Sequence, residues 1–179
     1  IEVAKLLEQR KVVAIFQGRS EAGPRALGNR SILYDPRDPD GKDRINKIKH
    51  REAFRPFAAS IKLSHVHKWF DMAGMDDSPH MMYAVDALEY TWDKIPAVLH
   101  VDHTCRIQTV TIDQNEHYYR LIDAFCQITG VPLLFNTSFN MAGDPLVETP
   151  EDAIKCFEET DIDALYFPEV AKLRAKSTL

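Results

Sequence analysis

Apolar residues along this chain follow two rhythms. Val3, Leu6 and Leu7 recur at helical spacing, whereas Val12 to Phe16 is an unbroken run ending at Gly18, so the pattern predicts a helix leading into a buried strand. Ser31 to Tyr34 reads as a second strand. Asp38 to His50 reads as a polar helix with Ile45 and Ile48 on one face. Strand-like runs follow at Ala58 to Leu63, Met81 to Leu88, Ala97 to Val101 and Arg106 to Ile112. Between the first two of these, Ser64 to Phe70 is expected to form one amphipathic helix, followed by a polar loop through Gly74, Asp76, Asp77 and Pro79.

Leu121, Ile122, Phe125 and Ile128 return to helical spacing, and Gly130 stands where a left-handed residue would end the helix. Val131 to Phe135 is then a buried strand. Thr149-Pro150-Glu151-Asp152 reads as a helix start, with a hydroxyl at the cap, proline at the first helical position and acids in the first turn, and with Ile154 and Phe157 facing inward. A last strand, Ala164 to Phe167, stops at Pro168, and the basic tail after it is expected to fray. Helices alternate with strands at both ends around a hairpin-like middle. That order predicts an α/β (α+β) chain, a mixed parallel and antiparallel sheet flanked by helices, forming a single domain over residues 1–179 without internal repeat or linker.

Composition adds little except in where the charge lies. The chain has 179 residues, 45% of them apolar and 27% charged, which is ordinary for a globular domain. It contains neither an apolar run of membrane-spanning length nor a basic-then-apolar leader, so a cytoplasmic protein with no membrane partner is expected. Position 1 is Ile, which suggests a piece of a longer polypeptide. Cys105, Cys126 and Cys156 are odd in number and set among apolar residues, as reduced core thiols would be. The net charge is −5, yet from Gln17 to Lys62 eleven Lys or Arg stand against six Asp or Glu. A basic island in an acidic chain suits a small anionic ligand better than nucleic acid. A solvated loop and helix would show the same charge count.

Four clusters carry candidate chemistry. Gly18 to Ser31 mounts Arg19, Arg25 and Arg30 on a backbone shaped by three glycines and Pro24, and arginine forks match phosphate oxygens. It is neither a Walker A loop nor a dinucleotide fingerprint, and a structural turn with surface arginines is the plainer reading. Asn46, Lys49, Arg51 and Arg55 interleave with Phe54, Pro56 and Phe57; the two phenylalanines would pin the chain to the core, and Lys47 and Lys49 could equally be a solvated face. In His100-Val101-Asp102-His103-Thr104-Cys105-Arg106, His100, Asp102 and Thr104 would share a sheet face if extended. Only two plausible metal ligands are close there, so a strand end offering Arg106 to an anion is preferred. Asn136-Thr137-Ser138-Phe139-Asn140 follows a buried strand, where open α/β sheets bind ligands; Ser138 lacks a nucleophile elbow and reads as a hydrogen-bond donor.

Taken in order, Gly23 to Ser31, Asp35-Pro36-Arg37, Asn46 to Lys49, Arg51, Phe54 to Ala58, Arg106 to Val110, Asn136 to Asn140 and Thr149 to Ala153 resemble the C-terminal domain of the carbamoyltransferase family. That is the family of nodulation protein U, the cephem hydroxymethyl carbamoyltransferase and tobramycin O-carbamoyltransferase. The resemblance runs from about Val12 to Phe167. It departs where Asp-Gly-Thr-Ala-Arg is expected and Asp102-His103-Thr104-Cys105-Arg106 stands, leaving the parts of Asp102 and Thr104 open.

The resemblance implies a YrdC-like twisted mixed sheet that binds ATP, with Mg2+ carried on it, and carbamoyl phosphate. Carbamoyl phosphate is hydrolysed to carbamate, and carbamate attacks ATP to give carbamoyl adenylate. A separate N-terminal domain with an iron site then transfers the group to an acceptor hydroxyl; this chain would be the activating part, with no metal ligands of its own. On that basis Arg25, Arg30, Lys49, Arg51 and Arg55 are expected around phosphates. Arg106, Asn136, Ser138 and Asn140 would hold the carbamoyl phosphate and triphosphate, with Lys49, Arg106 and Ser138 closest to the chemistry. The expected partners are these small molecules and the N-terminal domain, with a second copy in a homodimer as a further option. The alternatives are a nucleotide- or RNA-binding YrdC-like module without catalysis, or a dimerisation domain.

Overall fold

In the computed structural model, which describes residues 1–176, nine strands form one twisted sheet. The strands are β1 (Val13–Phe16), β2 (Arg30–Tyr34), β3 (Ala58–Lys62), β4 (Phe70–Asp71), β5 (Ala84–Ala87), β6 (Thr104–Val110), β7 (Leu133–Ser138), β8 (Ala164–Phe167) and β9 (Lys172–Ala175). Their order across the sheet is β4-β5-β6-β3-β7-β2-β1-β8-β9. The β3–β6 and β1–β8 pairs are parallel and the others antiparallel, so the mixed sheet expected from the sequence is present. Four helices accompany it: α1 (Glu2–Glu8), α2 (Gly41–Ile48), α3 (Glu116–Thr129) and α4 (Pro150–Glu158).

Local chemistry sets the helix ends. Thr149 and Asp152 form a reciprocal capping box with Pro150 at the first helical position, and Gly130 closes α3 with φ 76°, a left-handed angle that costs glycine little. Strands β1, β2 and β3 are buried at every position: β1 is an unbroken apolar run, whereas β2 and β3 also bury Arg30, Ser31, Ser60 and Lys62.

Five segments differ from their sequence pattern. Ser64 to Phe70 is not an α-helix: Leu63–Lys68 is a 3-10 turn leading into β4. Leu63, Val66 and Trp69 repeat every three residues, the period of that tighter helix. Ala97 to Val101 is a 3-10 turn at Pro96–Val98 rather than a strand, because Pro96 contributes no donor to a ladder. Only Ala84–Ala87 of the Met81 to Leu88 run pairs, and the tail expected to fray instead pairs as β9 with β8; positions 177–179 of that tail lie outside the described residues. Finally, β7 continues through Asn136, Thr137 and Ser138, which pair with β2, so these three are strand and not turn.

The stretch with His in place of the expected Gly keeps a left-handed backbone. His103 has φ 61°, and its ring stacks on Trp92 at 3.7 Å between centroids. His103→Gly relieves the backbone but loses the stack; the two contributions are each about 1 kcal/mol. Thermal melting of that variant is therefore expected within a few degrees of the parent.

Candidate anion-binding cleft

The loop from Gly18 to Asn29 is held from below by the sheet. Asn136, Gln108 and Gln17 donate side-chain amide N–H groups to the carbonyls of Ala26 (3.1 Å), Leu27 (2.8 Å) and Gly28 (2.8 Å). Glu21 accepts from the backbone N–H groups of Leu27 and Asn29, each at 2.8 Å. A Cβ at Gly28 would lie 2.3 Å from the Tyr118 ring, so only glycine lets the loop sit this low. The consequence is that Arg25 is presented over the ends of β6 and β7 by a rigid loop.

There it joins Arg51 and Arg106 in a pocket of about 200 Å³, walled by Pro24, Phe57, Met81, Asn136, Thr137 and Ser138. The Nε atoms of all three arginines are buried and have no hydrogen-bond partner among the described residues, and no carboxylate lines the pocket. Burial lowers the affinity of Arg106 and of Arg51 for their protons, with the Arg25 charge next in weight for Arg106 and the Arg55 charge for Arg51. Three guanidiniums brought together, with their Nε–H groups buried and no acid beside them, leave the pocket short of negative charge. Met81 holds its place in the wall at φ 56°, an unfavourable angle for that residue.

Arg51 and Ser138 are shared with a wider cleft of about 660 Å³ lined also by Asn46, Lys49, His50, Arg55, Asn140 and Gly143. Lys49 is 2% exposed. Its Nζ donates to oxygens of Ser138 (carbonyl, 2.5 Å) and Asn140 (carbonyl, 2.8 Å; side chain, 3.1 Å), while burial, with Arg51 beside it, draws its pKa down to about 7. Lys49 thus braces the end of β7, and the solvated face belongs to the exposed Lys47. Arg55 lies at the rim, half exposed and paired with Glu52 at 2.8 Å.

Eight of the nine residues singled out from the sequence therefore line these two connected spaces. Arg30 does not. It is 3% exposed, its guanidinium donates to the carbonyls of Gln17, Gly18, Asn29, Val147 and Glu148, and it lies 3.5 Å over the Phe16 ring. Its donors are committed to the fold. Phe54, expected in the core, is 80% exposed, and Phe57 alone packs inward, against Phe135. His100, Asp102 and Thr104 form a turn, with Thr104 donating to Asp102 and hydrogen-bonded to His100, not an extended face. Gln17, Gln108 and Glu21 carried no expected role. Polar residues at the ends of, or inside, otherwise apolar strands were the available signal for the two glutamines.

Comparison with known proteins gives a consistent picture. Residues 4–173 match the family model described as carbamoyltransferase C-terminus. The chain is 47% identical over 156 residues to nodulation protein NolNO of Sinorhizobium fredii, covering 86% of this chain and 23% of that protein. It is 40% identical over 152 residues to the 3'-hydroxymethylcephem-O-carbamoyltransferase of Streptomyces clavuligerus, covering 85% and 28%. The chain spans about a quarter of the length of these curated relatives. Among solved structures, Sua5 of P. abyssi in complex with L-threonine aligns with TM-score 0.63 at 13% identity, over 93% of this chain and 45% of that one, a shared fold of the YrdC type.

Proposed function

Because the chain belongs to the carbamoyltransferase C-terminal family, we propose that its cleft activates a carbamoyl group for transfer. The observation that carries the reading is the trio Arg25, Arg51 and Arg106, whose Nε–H groups are buried without partners and which line one small pocket with no carboxylate, beside a larger cationic cleft that shares Arg51 and Ser138 with it. The small pocket suits the phosphate of carbamoyl phosphate. The larger one suits the triphosphate of ATP, with Mg2+ arriving on the nucleotide and no protein ligand assigned to it.

In this proposal, water splits carbamoyl phosphate into carbamate and phosphate. A carbamate oxygen then attacks the α-phosphorus of ATP, forming the O–P bond of carbamoyl adenylate as the bond to the β-phosphate oxygen breaks and pyrophosphate leaves. The arginines offset the repulsion between the two anions in a partly dehydrated site, and Lys49 keeps Ser138 and Asn140 aligned. No covalent nucleophile is needed. Transfer to an acceptor hydroxyl is assigned to the N-terminal domain expected outside this chain.

Labelled pyrophosphate should exchange into ATP when the 179-residue chain is given ATP, magnesium and carbamoyl phosphate, and mass spectrometry should find a polyhydroxylated acceptor unmodified. Acceptor carbamoylation by this chain alone would refute the division of labour. Absence of both exchange and ATP binding would instead favour an RNA-binding role, which a steep salt dependence of RNA affinity would reveal.

A further inference from the structure

Asn136 lies in the middle of the sheet, paired with Leu33 of β2 and Ala58 of β3, and is 1% exposed. The orientation of its carboxamide follows from its neighbours. A backbone carbonyl can only accept, so the atom facing Ala26 O at 3.1 Å is Nδ2. Gln108 is oriented in the same way by Leu27 O, which turns Gln108 Oε1 inward to accept from the Ser60 hydroxyl at 2.6 Å. With its proton given to Gln108, Ser60 Oγ accepts from Asn136 Nδ2 at 2.9 Å. Both N–H groups of Asn136 Nδ2 and the Ser60 proton are thereby used.

What remains is Asn136 Oδ1, a buried acceptor without a partner, on a residue that lines the three-arginine pocket. The doubly ionised phosphoryl group of a phosphate ester or acyl phosphate has no proton to offer it. The ligand that completes the pocket must carry an anionic end for the guanidiniums and, near it, an N–H or O–H donor.

We propose that Asn136 Oδ1 accepts a hydrogen bond from the amide N–H of the carbamoyl group, so that the pocket selects a carbamoyl phosphate over an acyl phosphate of the same shape. The inference rests on the function proposed above and adds a selection step to it. A methyl group in place of the NH2 would leave the acceptor buried and unmet, and sites built around such an acceptor reject analogues that lack the donor. Gln108 supports the site at one remove: it holds the loop through the Leu27 carbonyl and takes the Ser60 proton, while the Ala26 carbonyl itself fixes which way the Asn136 amide is turned.

The test is calorimetric titration of the chain with carbamoyl phosphate, acetyl phosphate and inorganic phosphate. The parent should bind carbamoyl phosphate about tenfold or more tighter than acetyl phosphate. Asn136→Leu should bring that ratio close to one. Gln108→Leu loosens the loop and weakens both ligands, but it should leave the ratio standing, which a merely structural role for Asn136 does not predict. Equal affinities in the parent, or a ratio that survives Asn136→Leu, would overturn the inference while leaving the anion pocket in place. Failure of the parent to bind any of the three phosphates would remove the functional reading itself.

Discussion

Arg106→Ala should weaken carbamoyl phosphate binding about 30-fold or more while leaving the melting temperature unchanged or raised. Loss of one charged contact in a desolvated pocket costs about 2–5 kcal/mol in affinity. The fold should not suffer, because Arg106 has no ion-pair partner among the described residues, its Nε bonds to nothing, and its charge is opposed by Arg25 and Arg51. Removing it takes one like charge out of a crowded, half-dry space. Calorimetric titration beside a thermal melt reads both effects. A marked drop in melting temperature with unchanged affinity would make Arg106 a structural cation and leave the pocket without its central argument.

That opposition between binding and stability was only half legible in the sequence. Polar, cationic and glycine-rich segments at strand ends marked the cleft, and the helix stops at Gly130 and Thr149 were readable because capping is local chemistry. The strand Ala164–Phe167 ends where Pro168 forbids continuation. Where contacts are long-range the pattern misled. Asn136, Thr137 and Ser138 look like loop residues, but their backbones pair with β2, and the ladder, not the side chains, decides. Leu63, Val66 and Trp69 imitate an amphipathic helix because a spacing of three fits both the α and the 3-10 rhythm over so short a span. Phe54 and Phe57 are chemically identical and three apart, yet only Phe57 finds an aromatic neighbour, Phe135, more than seventy positions along the chain. Gln108 and Asn136 show the same limit for polar groups. Their role depends on carbonyls presented by a loop about eighty to one hundred and ten residues earlier.

Arg30 is the sharpest case, and Arg30→Met is expected to destabilise the fold by about 3–5 kcal/mol, the cost of leaving several buried acceptors without donors. Within the sequence it is indistinguishable from Arg25: both lie in the glycine-rich stretch and both suit a phosphate. The difference is made by Val147 and Glu148, whose carbonyls arrive more than one hundred residues later and, with those of Gln17, Gly18 and Asn29, take up the guanidinium. Methionine fills much of the space over Phe16 but donates nothing, so the loop base and the approach to α4 both lose their tie. Arg30→Lys should recover little, because a single ammonium cannot reach carbonyls arranged around a planar fork. Urea unfolding of the two variants measures the loss as a lower midpoint at constant slope. If Arg30→Met melted like the parent and instead lost phosphate affinity, Arg30 would belong with Arg25, Arg51 and Arg106 in the pocket and would not be the arginine that builds the loop.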